Sequence, residues 1–499
     1  MTTRRRVIAR LITLTVILAA GAAAGPTLMR WGRGGPAPEQ GGVFQVKPYL
    51  QPGDSSSGVA DGRESFALVW QADDHDAAWS VEVRGEPAGR WTPMAPPSSR
   101  RMAETGLPPF RLFHAALEGL ASGSEFSYRV WRDGVPVFKA KARTRARAGQ
   151  PQRFVVFGDC GAGSAEQSAV AWQAFQARPD YLVIPGDIVY ARGRVSEYLD
   201  RFFPVYNADH PSPAAGVPLL RSTLCYTVPG NHDLIVGDLD KLPDGLAFFY
   251  YWARPNNGPL TAPGAPSTLS LSGSDARRQA FLDAAGPAYP RGGSFSFDHG
   301  GAHWIMLDSN FYVDWSSPAL QAWLEADLAS PAARQAAWRF AAFHHPAFHS
   351  SKAHKNDQRM RLIVPALERG KVDVVFTGHV HNYERSRPLR FVPGPPPADG
   401  GGKPYGPEGQ VAGTWTIDRA YDGVRQTRPD GIIHIVTGGG GAKLYDAAQG
   451  DDPASWQPYT VRFAARVHSL TIVDVAPDAL TVRQVGDDGR ELDHFVVTR

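Results

Sequence analysis

The stretch that organises this chain runs from Val372 to Arg385 and reads VDVVFTGHVHNYER. Its first six residues are mostly apolar and β-branched, which predicts a buried strand that ends at Gly378. In an extended chain, residues i and i+2 point to the same side, so His379 and His381 are expected to face the same region beyond the strand. The alternative is a pair of solvated loop histidines, and other segments must decide between the two interpretations.

Four more predicted strands also end in residues that can bind metal ions. These strand ends read FGDCG at 157–161, PGDIVY at 185–190, PGNHD at 229–233 and FHHP at 343–346. Taken singly, each motif is more typical of a turn or a helix cap. In open α/β folds, however, ligands gather at the carboxyl ends of strands, so these residues are expected to converge. Their joint occurrence in this order predicts a metal centre.

The chain divides into two predicted domains with different patterns. Residues 44–145 contain short alternating runs broken by turns, which is typical of an all-β sandwich. Residues 150–499 alternate strands with helices, which predicts α/β layers, and the runs after residue 469 are expected to be closing strands. Residues 237–301 are rich in Gly and Pro and weakly periodic, so we expect an insertion near a site.

Composition and charge indicate an ordinary globular protein rather than one that binds polyanions. The 499 residues are 43% hydrophobic and 20% charged, which is ordinary for a globular protein. The first 24 residues hold four arginines and no acid, so the formal net charge of +3 falls to −1 beyond them. A general polyanion-binding surface is not indicated, and no nucleic acid is expected as a structural partner.

Residues 1–24 are predicted to be a signal peptide. A basic start precedes an apolar stretch from Leu11 to about Ala24, which is shorter than the roughly 20 residues of a spanning helix, so no stable membrane span is expected. The segment TRRRVI at 3–8 resembles the twin-arginine export signal, and an ordinary secretory signal is the equal alternative. Residues 25–43 are predicted to be a Gly/Pro-rich linker. We therefore expect an exported protein in the periplasm, at the cell surface or outside the cell.

The two cysteines of the chain, Cys160 and Cys225, are predicted to be free thiols. If their strands are parallel neighbours with level ends, the two residues are offset by about five positions at about 3.3 Å each, which is too far for a disulfide.

The order GDxG, GDxxY, GNHD, HHP and GHxH resembles the purple acid phosphatases, within the calcineurin-like metallophosphoesterase superfamily. The resemblance extends from about residue 44 to the end and includes the start KPYLQ at 47–51. Tyr190, three residues after Asp187, separates this group from most relatives. The resemblance implies a fibronectin type III-like sandwich followed by a four-layer α/β/β/α metallophosphoesterase domain.

The resemblance also implies a site with two metal ions. The first ion would be held by Asp159, Asp187, Tyr190 and His381. The second would be held by Asp187, Asn231, His344 and His379, with Asp187 as the bridge. The resemblance implies iron(III) beside zinc, manganese or iron(II), and the donors agree with this, because a hard trivalent ion prefers carboxylate and phenolate while a softer divalent ion accepts imidazole.

Further histidines have implied roles in the reaction. His232 resembles the catalytic histidine of the family and would protonate the leaving group or stabilise the transition state while metal-bound hydroxide attacks. His349 and His354 are candidates for substrate binding, and His345 is expected to be structural. Asp233 departs from the Glu that is common at this position in the family.

The function implied is release of inorganic phosphate from a small phosphomonoester, as an exported acid phosphatase. A phosphodiesterase or phospholipase-like hydrolase on the same fold is one alternative. A noncatalytic surface-binding protein, in which the sandwich acts, is an alternative of another class.

Overall fold

A computed structural model describes residues 42–499 except 55–61, 88, 236, 260–263, 290, 292, 399 and 407–408. The predicted signal peptide and residues 25–41 of the predicted linker lie outside the described residues. Within the described part, no helix is both long enough and apolar enough to cross a membrane.

The first described region is the expected β-sandwich. Its strands are β1 (Val46–Gln51), β2 (Arg63–Asp73), β3 (Trp79–Gly85), β4 (Thr92–Pro93), β5 (Ser98–Met102), β6 (Phe110–Ala121), β7 (Glu125–Arg132) and β8 (Val135–Arg143). One sheet has the order β1-β2-β6-β5 and the other the order β4-β3-β7-β8. Trp70 and Phe113 stack in the core with ring centroids 5.2 Å apart. Apolar side chains from the facing sides of both sheets, such as Leu68, Val81, Leu117 and Val130, pack into one buried cluster between them.

The region after the sandwich supplies the remaining strands. They are β9 (Gln152–Val156), β10 (Tyr181–Pro185), β11 (Asn207–Ser212), β12 (Gly216–Pro218), β13 (Leu224–Val228), β14 (Phe295–His299), β15 (Ala302–Leu307), β16 (Trp338–Phe343), β17 (Val374–Thr377), β18 (Tyr383–Ser386), β19 (Leu389–Pro393), β20 (Gly413–Ile417), β21 (Ile433–Thr437), β22 (Thr460–Ala464), β23 (Ser469–Val475), β24 (Ala479–Gly486) and β25 (Glu491–Thr498). One sheet has the order β13-β10-β9-β23-β24-β25, and the other the order β14-β15-β16-β17-β21-β18-β22. Strands β11 and β12, and strands β19 and β20, form two small hairpins.

The helices lie between these strands in sequence. They are α1 (Ala165–Gln176), α2 (Val195–Glu197), α3 (Phe203–Tyr206), α4 (Phe248–Tyr251), α5 (Asp275–Ala285), α6 (Pro318–Leu328), α7 (Pro331–Gln335), α8 (Val364–Arg369) and α9 (Ala447–Gly450). Single 3₁₀ turns occupy Gly286–Ala288, Arg359–Ile363 and Pro453–Ser455, and a π turn occupies Tyr198–Phe202. The side chain of Ser164 caps α1 by accepting a hydrogen bond from the amide of Gln167.

The two large sheets pack face to face through aromatic side chains. The ring of Phe154 on β9 lies 5.0 Å from that of Trp304 and 5.7 Å from that of Phe376, both on the opposite sheet. On the outer face of that opposite sheet, Leu320 and Leu324 of α6 share a hydrophobic cluster with its inner strands. Helix α1 covers the outer face of the sheet that contains β9. The four-layer α/β/β/α arrangement is therefore confirmed.

The C-terminal strands close the first sheet, as expected. Strand β23 pairs antiparallel with β9, and β24 and β25 extend the sheet outward. Cys160 and Cys225 are both buried and free, as predicted. The geometric premise differs, because β10 lies between the strands that carry the two thiols, so these strands are not neighbours.

The sandwich packs directly on the α/β region, and residues 43–499 form one compact unit. The hydroxyl of Tyr128 on β7 donates to the carbonyl of Arg221, in the α/β region, at 2.8 Å. The hydroxyl of Tyr49 donates to the carbonyl of Tyr251, which belongs to the segment predicted to be an insertion. The hydroxyl of Tyr251 in turn donates to Gln71 of the sandwich. This segment therefore connects the two regions, and the boundary between the predicted domains stays a prediction.

Candidate metal centre

The polar ends of five strands meet at one edge of the two facing sheets. Strands β9, β10 and β13 lead into the loops that carry Asp159, Asp187 and Asn231, respectively. Strand β16 leads into His344 and β17 into the segment with both histidines of GHVH. Asp159 is 0% exposed and Asp187 only 1% exposed, so two carboxylates are withdrawn from water here. Burial of this kind is costly unless the charges are compensated, which a bound cation would do.

The first group of side chains surrounds the hydroxyl of Tyr190. This oxygen lies 3.1 Å from Oδ1 of Asp159 and 3.0 Å from Nε2 of His381. Nε2 of His381 also lies 3.3 Å from Oδ1 of Asp159. A carboxylate, a phenol and an imidazole thus point their ligand atoms at one another.

The second group surrounds the amide oxygen of Asn231. Its Oδ1 lies 3.1 Å from Nε2 of His344 and 3.0 Å from Nδ1 of His379. Nε2 of His344 also lies 3.4 Å from Oδ1 of Asp187. Donor atoms about 2.1 Å from one ion at right angles to each other are about 3.0 Å apart, so the spacing in both groups is that of ligands around a cation. Ligand atoms of Asp159, Asp187 and His344 also lie within 4.8 Å of one another.

The backbone of GHVH differs from the extended chain that we expected. His379 has φ of +66°, in the left-handed region, so its side chain is turned away from that of His381. One imidazole consequently joins the group around Asn231 and the other the group around Tyr190. Both histidines are buried, which excludes the interpretation as solvated loop residues.

Two metal-ligand candidates have a fixed outer nitrogen. Nδ1 of His344 donates to the carbonyl of Pro185 at 2.9 Å, and Nδ1 of His381 donates to the carbonyl of Lys443 at 2.7 Å. Because a carbonyl can only accept, each ring carries its proton on Nδ1 and presents Nε2 to the cluster. Such outer hydrogen bonds orient histidine ligands in metal sites.

The electrostatics of the cluster favour a cation. Burial, together with the charges of Asp159 and Asp187, raises the pKa of Tyr190 well above its ordinary value. Burial alone would lower the pKa of His344, but the charge of Asp187, its hydrogen bond to the ring and the charge of Asp159 together outweigh burial and raise that pKa to about 9. The two carboxylates thus attract protons to their neighbours, and a metal ion would take the place of those protons.

His232 is placed beside both groups. Its amide donates to Oδ1 of Asp187 at 2.8 Å, and its Nδ1 donates to the carbonyl of Ala191 at 3.0 Å. The ring centroid lies 4.6 Å from that of Tyr190. With Nδ1 engaged, Nε2 is the nitrogen left for a substrate.

Asp233 has a structural contact that explains its place in the motif. Its carboxylate accepts from the amides of Ile188, Val189 and Gly230. It therefore joins the loop of Asp187 to the loop of Asn231, and the shorter side chain suffices for this contact.

The other three candidate histidines have different surroundings. His354 is exposed, and its ring lies 4.1 Å from that of His379, at the edge of the cluster. His349 is buried, and its carbonyl accepts from the hydroxyl of Tyr459. His345 is 1% exposed and its Nδ1 bonds to Ser309. It also has a ligand atom within 4.8 Å of those of His344 and His379.

Two side chains that contact the cluster, those of Asp357 and Tyr445, were not predicted from the sequence. Oδ2 of Asp357 lies 3.7 Å from Nε2 of His379, and the ring of Tyr445 stacks on His381 at 4.1 Å. Asp357 follows the candidate His354 by only three residues, and this position in the sequence could have indicated that Asp357 lies near the site. Nothing in the local pattern around Tyr445 indicates its contact. The loops that carry these residues are fixed only by the tertiary structure.

Comparisons with known proteins identify similar sequences and a similar fold. Residues 152–383 match the family model described as calcineurin-like phosphoesterase. Purple acid phosphatase 23 of Arabidopsis thaliana is 25% identical over 296 residues, which cover 55% of this chain and 57% of that protein. Purple acid phosphatase 18 of the same plant is 25% identical over 329 residues, covering 65% and 64%. The match to these two relatives thus spans less than two thirds of their length.

A solved structure supports the same fold. The purple acid phosphatase PPD1 from yellow lupin (Lupinus luteus) seeds superposes with a TM-score of 0.61 at 17% identity, covering 91% of this chain and 74% of that one. The resemblance to the purple acid phosphatases is thus confirmed in sequence and in fold, and residues 152–383 carry the match to the calcineurin-like phosphoesterases.

Proposed function

We propose that this protein is a hydrolase with two metal ions that releases inorganic phosphate from small phosphomonoesters. The observation that carries the proposal is the division of seven candidate ligands, six of them buried, into two groups, one around Tyr190 and one around Asn231. Asp187 contacts His344 of the second group, and the ligand atoms of these two residues lie within 4.8 Å of that of Asp159 in the first group. Two groups at this separation suit a pair of ions that bind one phosphoryl group.

The donor sets suit different ions. Asp159, Tyr190 and His381 offer two anionic oxygens and one imidazole, which favours a hard ion such as iron(III). Asn231, His344 and His379 offer neutral donors, which favours zinc, manganese or iron(II). Asp187 would contribute to both ions as the bridge. These are the residues that we expect to hold the metal ions.

The bound ions would polarise the phosphoryl group and lower the pKa of a coordinated water. His232 supplies the proton chemistry. Because Nδ1 is fixed on the carbonyl of Ala191, a protonated ring can donate from Nε2 to the leaving oxygen. The bond between Asp187 and the amide of His232 holds this imidazole beside the metal-ligand candidates. His354 is exposed at the edge of the cluster and is proposed to contact the substrate, while His349 is the weaker candidate because it is buried.

The test compares p-nitrophenyl phosphate with bis(p-nitrophenyl) phosphate on the metal-loaded full chain. We expect the monoester to be hydrolysed faster, and His232→Asn to lower kcat by roughly 10²- to 10⁴-fold with unchanged metal content. Much faster turnover of the diester would contradict the proposal in favour of a phosphodiesterase. Two bound ions without phosphate release would favour the noncatalytic binding protein.

We also propose that the protein is exported, on the strength of the basic and apolar pattern of residues 1–24. Mass spectrometry of the N-terminus of protein recovered outside the cytosol tests this. A mature chain that begins after the small residues near position 24 is expected, and an intact chain confined to the cytosol would refute export.

A further inference from the structure

Phe311 is an unusually exposed aromatic residue near the candidate metal centre. The residue is 63% exposed, although large apolar residues are more often withdrawn from water. Its ring centroid lies 5.3 Å from that of His345, which lies 4.3 Å from the metal-ligand candidate His379. The ring of Phe311 is therefore within about 10 Å of the ring of His379, since two steps of these lengths cannot reach farther.

The turn that carries Phe311 is held rigidly despite this exposure. Oδ1 of Asp308 accepts from both the amide and the side-chain nitrogen of Asn310, each at 2.9 Å. The indole of Trp315 donates to the carbonyl of Asp308 at 2.8 Å. Nδ2 of Asn310 also bonds to the carbonyl of Pro229, in the loop that carries Asn231 and His232. The turn is thus anchored to the catalytic loop and presents the ring outward.

One face of the ring is already covered by a cation. The guanidinium of Arg359 lies 3.7 Å from the centroid of Phe311, which is a close cation–π contact. Arg359 is held in turn by Asp357, with 3.4 Å between Nη2 and Oδ1. Because Phe311 remains 63% exposed with this cation in place, part of its surface is still open to a ligand.

We propose that Phe311 is a specificity-determining residue that stacks a planar aromatic group of the substrate. This inference rests on the proposed function, because it takes the phosphoryl group to lie at the two groups of metal-ligand candidates. An aromatic ester group that extends outward from the phosphoryl group would reach the exposed surface of Phe311, whose ring lies within about 10 Å of the ring of His379. Aromatic pairs in such contacts gain more than area burial alone provides, so aromatic esters are favoured over aliphatic ones of the same size.

The test measures binding of two phosphonates that cannot be hydrolysed, 2-phenylethylphosphonate and 2-cyclohexylethylphosphonate, to the metal-loaded full chain. Both have the same linker and similar size, but only the first carries a planar ring. We expect the phenyl compound to bind more tightly to the wild type, and Phe311→Ala to weaken it by roughly 3- to 10-fold. The cyclohexyl compound should change less than about 2-fold by the same argument.

Two further variants complete the design. Phe311→Trp should keep the preference for the phenyl compound, because the stacking surface remains. Val424→Ala removes another exposed apolar side chain and should change neither dissociation constant. Equal losses for both compounds in Phe311→Ala, no change in that variant, or failure of both compounds to bind the wild type would each overturn the inference.

Hydrolysis separates this inference from the proposed function. The phosphate esters of 2-phenylethanol and 2-cyclohexylethanol have similar leaving groups, so their rates compare ring recognition directly. Turnover of both esters with no role for Phe311 would overturn the stacking platform and leave the phosphatase intact. Absence of turnover would remove the proposed activity, while the dissociation constants of the phosphonates would still decide whether Phe311 binds planar rings.

Discussion

At the scale of single residues, three of the metal-ligand candidates adopt a backbone conformation that L-amino acids rarely visit. Asp159, Asp187 and His379 have φ values of +58°, +48° and +66°. Each such residue costs about 1 kcal/mol or more, and residues of this kind cluster at functional sites. Residue identity predicted which side chains can bind metal, and the resemblance implied the division of the two GHVH histidines, but the dihedral angle at His379 that turns them apart is not visible in the sequence.

Asp357 supports a prediction at the same scale. Its Oδ2 and Nε2 of His379 are both buried, both lack a hydrogen-bond partner among the described residues, and lie 3.7 Å apart. One water can bridge such a pair and orient the imidazole. We expect Asp357→Asn to weaken retention of the divalent ion by roughly 10-fold or more, measured by competition with a chelator.

The exposed carboxylate of Asp451, which pairs with Arg466, provides the matched control. Asp451→Asn should leave metal retention unchanged. The free energy of unfolding of the metal-free Asp357→Asn protein shows whether the fold is intact. An Asp357→Asn protein that holds both ions as tightly as the wild type would refute the orienting role.

At the scale of elements, His303 connects strand β15 to its neighbours. Its Nδ1 lies 2.8 Å from Asp298 on β14, and its Nε2 lies 3.0 Å from Asp327 on α6. Burial alone would lower the pKa of His303, but hydrogen bonds with the two carboxylates outweigh it and raise the pKa to about 9. A charged imidazole therefore joins a helix to the edge of the sheet.

This raised pKa predicts how stability depends on pH. Because the folded pKa lies above the unfolded value of about 6.5, the stabilisation is complete below about pH 6.5 and is lost as the pH rises through about 9. The loss is at most about 3 kcal/mol. In urea unfolding of the chelator-treated chain, His303→Gln should lack this part of the pH dependence.

His75 offers the control for this experiment, since it also lies 2.8 Å from a carboxylate, that of Asp73, but is exposed. His75→Gln should leave the pH profile of stability unchanged, because exposed pairs contribute little. If His303→Gln and the wild type lose stability in parallel between pH 6.5 and 9, deprotonation of His303 does not cause the loss of stability in this range.

Elements were predictable to different degrees. The strands that precede the metal-ligand candidates are short apolar runs, and the sequence placed β9, β10 and β17 close to where they lie. The segment 237–301 is weakly periodic, and its helix α5 and its strand β14 were not foreseen. Their formation depends on packing against the sandwich and on pairing with β15, which are contacts between residues far apart in sequence.

At the scale of the whole molecule, the order of motifs predicted the layers, while the contacts between sandwich and α/β region came only with the structure. The hydrogen bond from the hydroxyl of Tyr49 to the carbonyl of Tyr251 joins residues 202 positions apart, and no local pattern indicates it. The seven donors likewise come from segments between residues 159 and 381, and only the facing of two sheets brings them together. The centre is therefore a property of the complete fold.

The proposed two-metal centre requires Tyr190 to bind iron(III). Metal analysis and a visible absorption spectrum of the full chain and of Tyr190→Phe test it most directly, because the substitution removes only the hydroxyl that contacts Asp159 and His381. We expect two ions per chain and a charge-transfer band in the wild type that is absent from Tyr190→Phe. A wild-type protein that binds two ions including iron(III), yet shows no such band, would refute the assignment of Tyr190 as an iron(III) ligand.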